Sequence, residues 1–168
     1  GAIYTSEEIF QREIATLFMK DWLYVGRIEE LERPGDYLTA RIAGEPIILT
    51  RAKDNKLYAH YNMCAHRGVE VAEGQGNTQA FRCPYHGWTY DLQGKLLVAA
   101  HMRESEGFDV SACRLQPIRL DVWRGNLFVC FSQQSPPLAE FIKEFEQDFA
   151  FLNMGQCRLG WKMRLEVN

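Results

Sequence analysis

Near the amino end, apolar residues recur at helical spacing. Ile9, Phe10, Ile14, Leu17 and Phe18 mark one face. Ahead of them, Thr5-Ser6-Glu7-Glu8 offers an N-cap and two carboxylates for the first turn. The pattern predicts a helix over residues 6–20, packed by its stripe against a sheet. From Trp22 onward the period shortens. Runs at 22–26, 36–42, 46–52 and 57–62 read as strands, separated by Pro34-Gly35, Ala43-Gly44-Glu45 and Lys53-Asp54-Asn55-Lys56. Gly74 and Gly76 read as turn residues within 69–82. Short strands follow at Phe81, 88–91 and 95–98, with Gln93-Gly94 between the last two. A late hairpin joins 115–123 to 127–131 through Arg124-Gly125-Asn126. Pro136-Pro137 ends the β region. Leu138, Phe141, Ile142, Phe145, Phe149 and Leu152 then form a second helical stripe, predicting a helix over 137–152. The fold class expected is mainly β and antiparallel, with a helix at each end.

Composition supports one globular unit. The 168 residues are 46% hydrophobic, enough for a real core and against disorder. A net charge of −3 gives no reason to expect a nucleic-acid partner, and no apolar run approaches bilayer length. The opening GAIYTSEEIFQRE has neither a basic n-region nor an apolar h-region, so no secretory signal is expected there. Gly1-Ala2 without an initiating Met reads as a processed or excised piece. Five cysteines, an odd number, fit a reducing, cytoplasmic setting.

The chemistry concentrates between Asn62 and Asp91. Cys64-x-His66 is followed, after sixteen residues, by Cys83-x-x-His86. Two loops therefore each offer one thiolate and one imidazole. That set can place both sulfurs on one iron of a [2Fe-2S] cluster and both imidazoles on the other, the ligation of a Rieske centre. A zinc finger usually groups its cysteines and its histidines in separate pairs, although Cys₂His₂ could still hold zinc. Cys113, Cys130 and Cys157 lack the spacing of a plant-type ferredoxin. Gly68 and Gly87 follow the histidines and are expected to let the backbone approach the cluster, or to serve as ordinary turn glycines. Trp88 and Tyr85 are candidates to cover the site, and Arg67 to line its surroundings. His60 and His101 read as structural or solvated.

CAHRG and CPYHGWTYD resemble the two cluster loops of the alpha subunit of Rieske non-haem iron oxygenases, the ring-hydroxylating oxygenases. YTSEEIFQREIATLFMKDWLYVGRIEEL, PGDYLTARIAGEPIILTR and LDVWRGNLFVCF extend the likeness over most of the chain. The resemblance implies a Rieske-type antiparallel β-sandwich with a cluster-binding subdomain. It implies an N-terminal helix and lead-in strand in 1–36, the Rieske domain in 37–134 with its loops at 62–91, and a helix and linker in 135–168. Respiratory and photosynthetic Rieske proteins carry an extra, disulfide-forming cysteine in each loop. Val69 and Tyr85 stand at those places here.

The family's catalytic domain holds mononuclear iron through two histidines and a carboxylate. No triad-like spacing involves His60 or His101, so that iron is expected only in a domain outside this sequence. Gly160-Trp161-Lys162 lies near the expected border, where relatives carry Asn-Trp-Lys. The resemblance further implies a reductase or ferredoxin as electron donor and a trimeric parent. Electrons would leave through His86, ahead of His66, toward a neighbouring subunit's iron. This stretch alone is expected to transfer electrons and not to hydroxylate a substrate. The alternatives are a stand-alone Rieske ferredoxin and a zinc-stabilised interaction domain.

Overall fold

The computed structural model describes residues 1–100, 102 and 107–163. His101, one of the histidines singled out above, lies outside the described residues. Among the described residues, ten strands form two antiparallel sheets. β1 (Leu23–Arg27), β2 (Asp36–Ile42), β3 (Glu45–Arg51), β4 (Leu57–Tyr61), β5 (Gln75–Asn77), β9 (Pro117–Trp123) and β10 (Asn126–Cys130) make a seven-stranded sheet in the order β1-β10-β9-β4-β3-β2-β5. β6 (Phe81–Arg82), β7 (Thr89–Tyr90) and β8 (Leu96–Val98) make the second. The large sheet curls until β1 touches β2, and Gly26 lies against the Leu38 side chain.

Curling creates one core inside the sheet and leaves the opposite face for the second. Leu31, Ile47, Leu49, Ala59, Ile118, Leu127 and Val129 fill the inner core. Ile48 points the other way, into a core shared with Cys64, Phe81, Cys83, Trp88, Tyr90 and Leu115. Successive residues of a strand face opposite sides, so β3 is buried on both. Thr50 then donates to the Leu92 carbonyl at 2.6 Å, which satisfies its hydroxyl and pins the small sheet to the large one.

Two tight hairpins agree with their sequence signals. Ala43 and Gly44, and Arg124 and Gly125, all have positive φ, as a two-residue hairpin turn requires. Glu45 and Asn126 therefore belong to strands and not to the turns. Gly76, expected in a turn, sits in β5 against the Tyr37 ring. Leu115 is core and not strand.

The helices differ most from expectation. Ser6 caps α1 (Glu7–Glu13), but residues 14–18 then continue as a π-helix. Thr16 donates its hydroxyl to the Arg12 carbonyl, and Met19 N–H reaches Ile14 O, five residues back. Back-bonding of this kind by a hydroxyl weakens and bends a helix. No residue of this segment is buried, so the predicted packing of its stripe on the sheet is not found. The second stripe serves two surfaces and breaks between them. Leu138 and Ile142 insert beside Trp22 and Cys130, whereas Phe145 meets Trp123 edge-on and stacks on Phe149. Ile142 leaves the helical region, giving α2 (Leu138–Phe141), α3 (Lys143–Asp148) and a short 3₁₀ turn at Ala150–Leu152.

Candidate metal centre

The two Cys–His loops adopt the same backbone arrangement. The Cys64 N–H donates to Val69 O and the Cys83 N–H to Trp88 O, both at 2.8 Å. Four residues after each cysteine a glycine closes the loop. Gly68 N–H bonds Cys64 O at 2.8 Å, and Gly87 N–H bonds Cys83 O at 3.0 Å. Both glycines have φ +72°, a left-handed conformation that a side chain would strain. The histidines occupy different steps of this shared frame, two residues after Cys64 and three after Cys83.

The frame sorts the donors by depth. Cys64 and Cys83 are buried in the core beneath the loops. His66 and His86 are half-buried above it, with ring centroids 4.6 Å apart and planes at 64°. Trp88 lies parallel to His66, 4.8 Å away and only 10° from coplanar, and packs against Phe108 on another side. Its indole N–H is buried without an acceptor among the described residues. Tyr85 leans on His86 at 3.8 Å yet stays 57% exposed, so it shields one ring and does not cap the site. Arg67 is exposed at the rim.

Tyr90 was not singled out from the sequence. Fully buried, its hydroxyl accepts the Ala65 N–H at 3.0 Å and lies 3.2 Å from the Cys64 sulfur. Either atom can donate while Cys64 is a thiol; toward a Cys64 thiolate the hydroxyl is the donor. Burial, and then the contact with Cys64, hold the phenol well above its ordinary range, so it remains a neutral donor. The signal for it was present, since Tyr90 alternates with Trp88 on a strand leaving the second loop. Which of the loop's aromatics reaches a sulfur depends on how that loop folds over the first.

The remaining candidates are separated from this cluster. His60 is buried, and its Nε2 donates to Gln93 O at 3.1 Å. Burial lowers its pKa to about 4, so it is neutral and structural. Cys130 donates its thiol to Lys20 O, and Cys157 is exposed. None of the five cysteines is paired in a disulfide.

The donors match in kind and number the ligand set of a binuclear [2Fe-2S] group. Among the described residues, no three or more His, Cys, Asp or Glu side chains converge as a single metal ion would need. Structural zinc takes four convergent ligands. A [2Fe-2S] cluster asks only for a pair of sulfurs and a separate pair of imidazoles, here inner and outer.

Fold and donor set together define an iron–sulfur electron-transfer domain. Residues 21–119 match the Rieske [2Fe-2S] domain family, and the chain belongs to that family. It is 36% identical over 149 residues to the carnitine monooxygenase oxygenase subunit of Acinetobacter baumannii, covering 84% of this chain and 40% of that one. It is 32% identical over 144 residues to the large oxygenase component of the naphthalene 1,2-dioxygenase system of Pseudomonas aeruginosa, covering 83% and 32%. Among solved structures it resembles a quaternary ammonium Rieske monooxygenase, described with carnitine oxidation by gut microbiota and inter-subunit electron transfer. That likeness has a TM-score of 0.80 at 33% identity, covering 87% of this chain and 41% of the other. The chain thus spans about two fifths or less of each of these proteins. Among the described residues, no helix is long and apolar enough to cross a membrane.

Proposed function

We propose that the chain is the electron-transfer part of an oxygenase component. Cys64 and Cys83 hold one iron of a [2Fe-2S] cluster as thiolates, and His66 and His86 hold the other as neutral imidazoles. The observation that carries this is the depth sorting: two buried thiols and two outward imidazoles, presented by loops with duplicate backbones. When bound, such a cluster supplies one-electron chemistry at a higher potential than a four-cysteine cluster.

The protein's own part is to hold this donor set still and to tune it. Tyr90 donates toward the Cys64 sulfur, which favours the more negative, reduced state. Trp88 keeps the His66 ring in one plane. Gly68 and Gly87 close the loops without strain. The half-buried imidazoles are the natural route for electrons, and His86 is the proposed exit. A reductase or ferredoxin supplies the electron. The acceptor is mononuclear iron in a catalytic domain following the linker at 135–168, on a neighbouring subunit of a trimer. Residues 1–36 form the lead-in and 37–134 the Rieske domain, in a cytoplasmic protein.

Anaerobic electron paramagnetic resonance (EPR) on dithionite-reduced protein, with iron and sulfide counted, tests this. A rhombic signal with the low average g of histidine-ligated clusters, and two irons per chain, is expected. Stoichiometric zinc without sulfide would overturn the assignment.

A further inference from the structure

The two loops share a frame but are closed differently. Beyond the second loop, Phe81 pairs with Tyr90 and Arg82 with Thr89. No described strand pair closes the first loop in the same way. The side chain of Asn62, 1% exposed, occupies that place. Its Oδ1 accepts the N–H groups of Val71 and Ala72 at 3.0 and 3.2 Å, and its Nδ2 donates to Ala72 O at 2.8 Å. A carboxamide carries the same donor and acceptor as a peptide unit, so Asn62 performs the pairing of a missing strand.

The clamp is tied down on both sides. Asn62 N–H donates to Pro46 O at 2.8 Å, fixing it to the start of β3. Its Nδ2 also lies 3.4 Å from a Glu70 carboxylate oxygen, and Glu70 pairs with Arg41 of β2. Asn62 and Cys64 are two residues apart at the end of β4, whose Tyr58 and His60 also engage the small-sheet module. The entry and exit of the first loop are therefore held at one separation by one side chain.

We propose that Asn62 is a positioning residue for the metal centre: its carboxamide sets the placement of Cys64 and His66 relative to Cys83 and His86. The inference rests on the ligand assignment above. Replacing Asn62 by Ala removes every side-chain bond at once. Asp keeps two acceptors for Val71 and Ala72 but cannot donate to Ala72 O and faces Glu70.

The test compares Asn62→Ala, Asn62→Asp and wild type, with Thr50→Val as a control that loses a buried bond to the other module. Amide hydrogen exchange is followed in peptides covering 64–72 and 83–90, and EPR is recorded on the same reduced samples. In Asn62→Ala, exchange over 64–72 should rise roughly ten-fold or more, while 83–90 stays near wild type and the g values shift. Asn62→Asp should fall between, and Thr50→Val should leave both 64–72 and the g values unchanged. Wild-type exchange over 64–72 with unaltered g values in Asn62→Ala would overturn the proposal, as would equal loss of protection in both loops. If Asn62→Ala does not fold, Asn62→Asp decides by the same two readings. A wild-type sample without the Rieske signal would sink the ligand assignment, leaving the exchange comparison to decide the clamp.

Discussion

The Tyr90 hydroxyl stands 3.2 Å from the Cys64 sulfur while the Ala65 amide donates to its oxygen. One phenol thus joins the strand leaving the second loop to the cysteine of the first. A donor to a thiolate ligand stabilises the state with more negative charge, which is the reduced one.

Replacing Tyr90 by Phe therefore lowers the reduction potential. A loss of about 1 kcal/mol of differential hydrogen bonding corresponds to a shift on the order of 40 to 50 mV for a one-electron couple. Spectroelectrochemistry of the reduced and oxidised protein measures it. An unchanged or raised potential would show that the hydroxyl does not donate to the sulfur.

Serine at Cys64 or Cys83 should abolish the Rieske EPR signal and bound sulfide, since each is a proposed ligand. Serine at Cys113 or Cys157, which lie outside the centre, should leave two irons per chain. Retention of the signal in Cys64→Ser would refute the assignment.

Trp88 combines packing with orientation. Trp88→Leu opens space in the core and unstacks His66, at a cost of about 2–4 kcal/mol. Trp88→Phe keeps an aromatic face and removes the unpaired buried indole N–H, so it should cost less than half as much. Urea denaturation of the two variants beside wild type gives the comparison. Equal losses would mean that bulk alone matters there.

His60 predicts a pH dependence. Its pKa is lowered to about 4 by burial, whereas an unfolded histidine titrates near 6.5. Between these values the unfolded chain holds a proton that the folded chain lacks, so stability rises with pH across the window. Above about 6.5 the contribution is complete. Falling to pH 4 removes roughly 3 kcal/mol. His60→Gln should flatten that part of the stability curve relative to wild type, as measured by urea melts at pH 7, 5.5 and 4.5. Parallel curves would show that His60 is not protonated on unfolding.

Much of the sheet was legible because its turns are chemically explicit. Ala43-Gly44 and Arg124-Gly125 mark two hairpins, and alternation between them sets the strands. The helices were less legible. A stripe of apolar residues states that something will cover it, but not what or where. The first stripe is left uncovered by the described residues, and the second divides at Ile142 between Trp22 and Trp123.

By itself the sequence determined which atoms could bind metal, because ligand chemistry and loop spacing are local properties. Cys64-x-His66 and Cys83-x-x-His86 define a donor set that few metal groups use. It offered Gly68 and Gly87 as backbone-approach or turn glycines, and the structure gives both the left-handed conformation. Only the tertiary structure decided which donors are deep and which are outward, and it alone brought Tyr90 to Cys64 and Asn62 to Val71 and Ala72. These pairs are separated along the chain and meet through sheet register and burial. A hydrogen bond of this kind depends on distance in space; the alternation of Trp88 and Tyr90 marks both as inward-facing but does not say which partner either one meets.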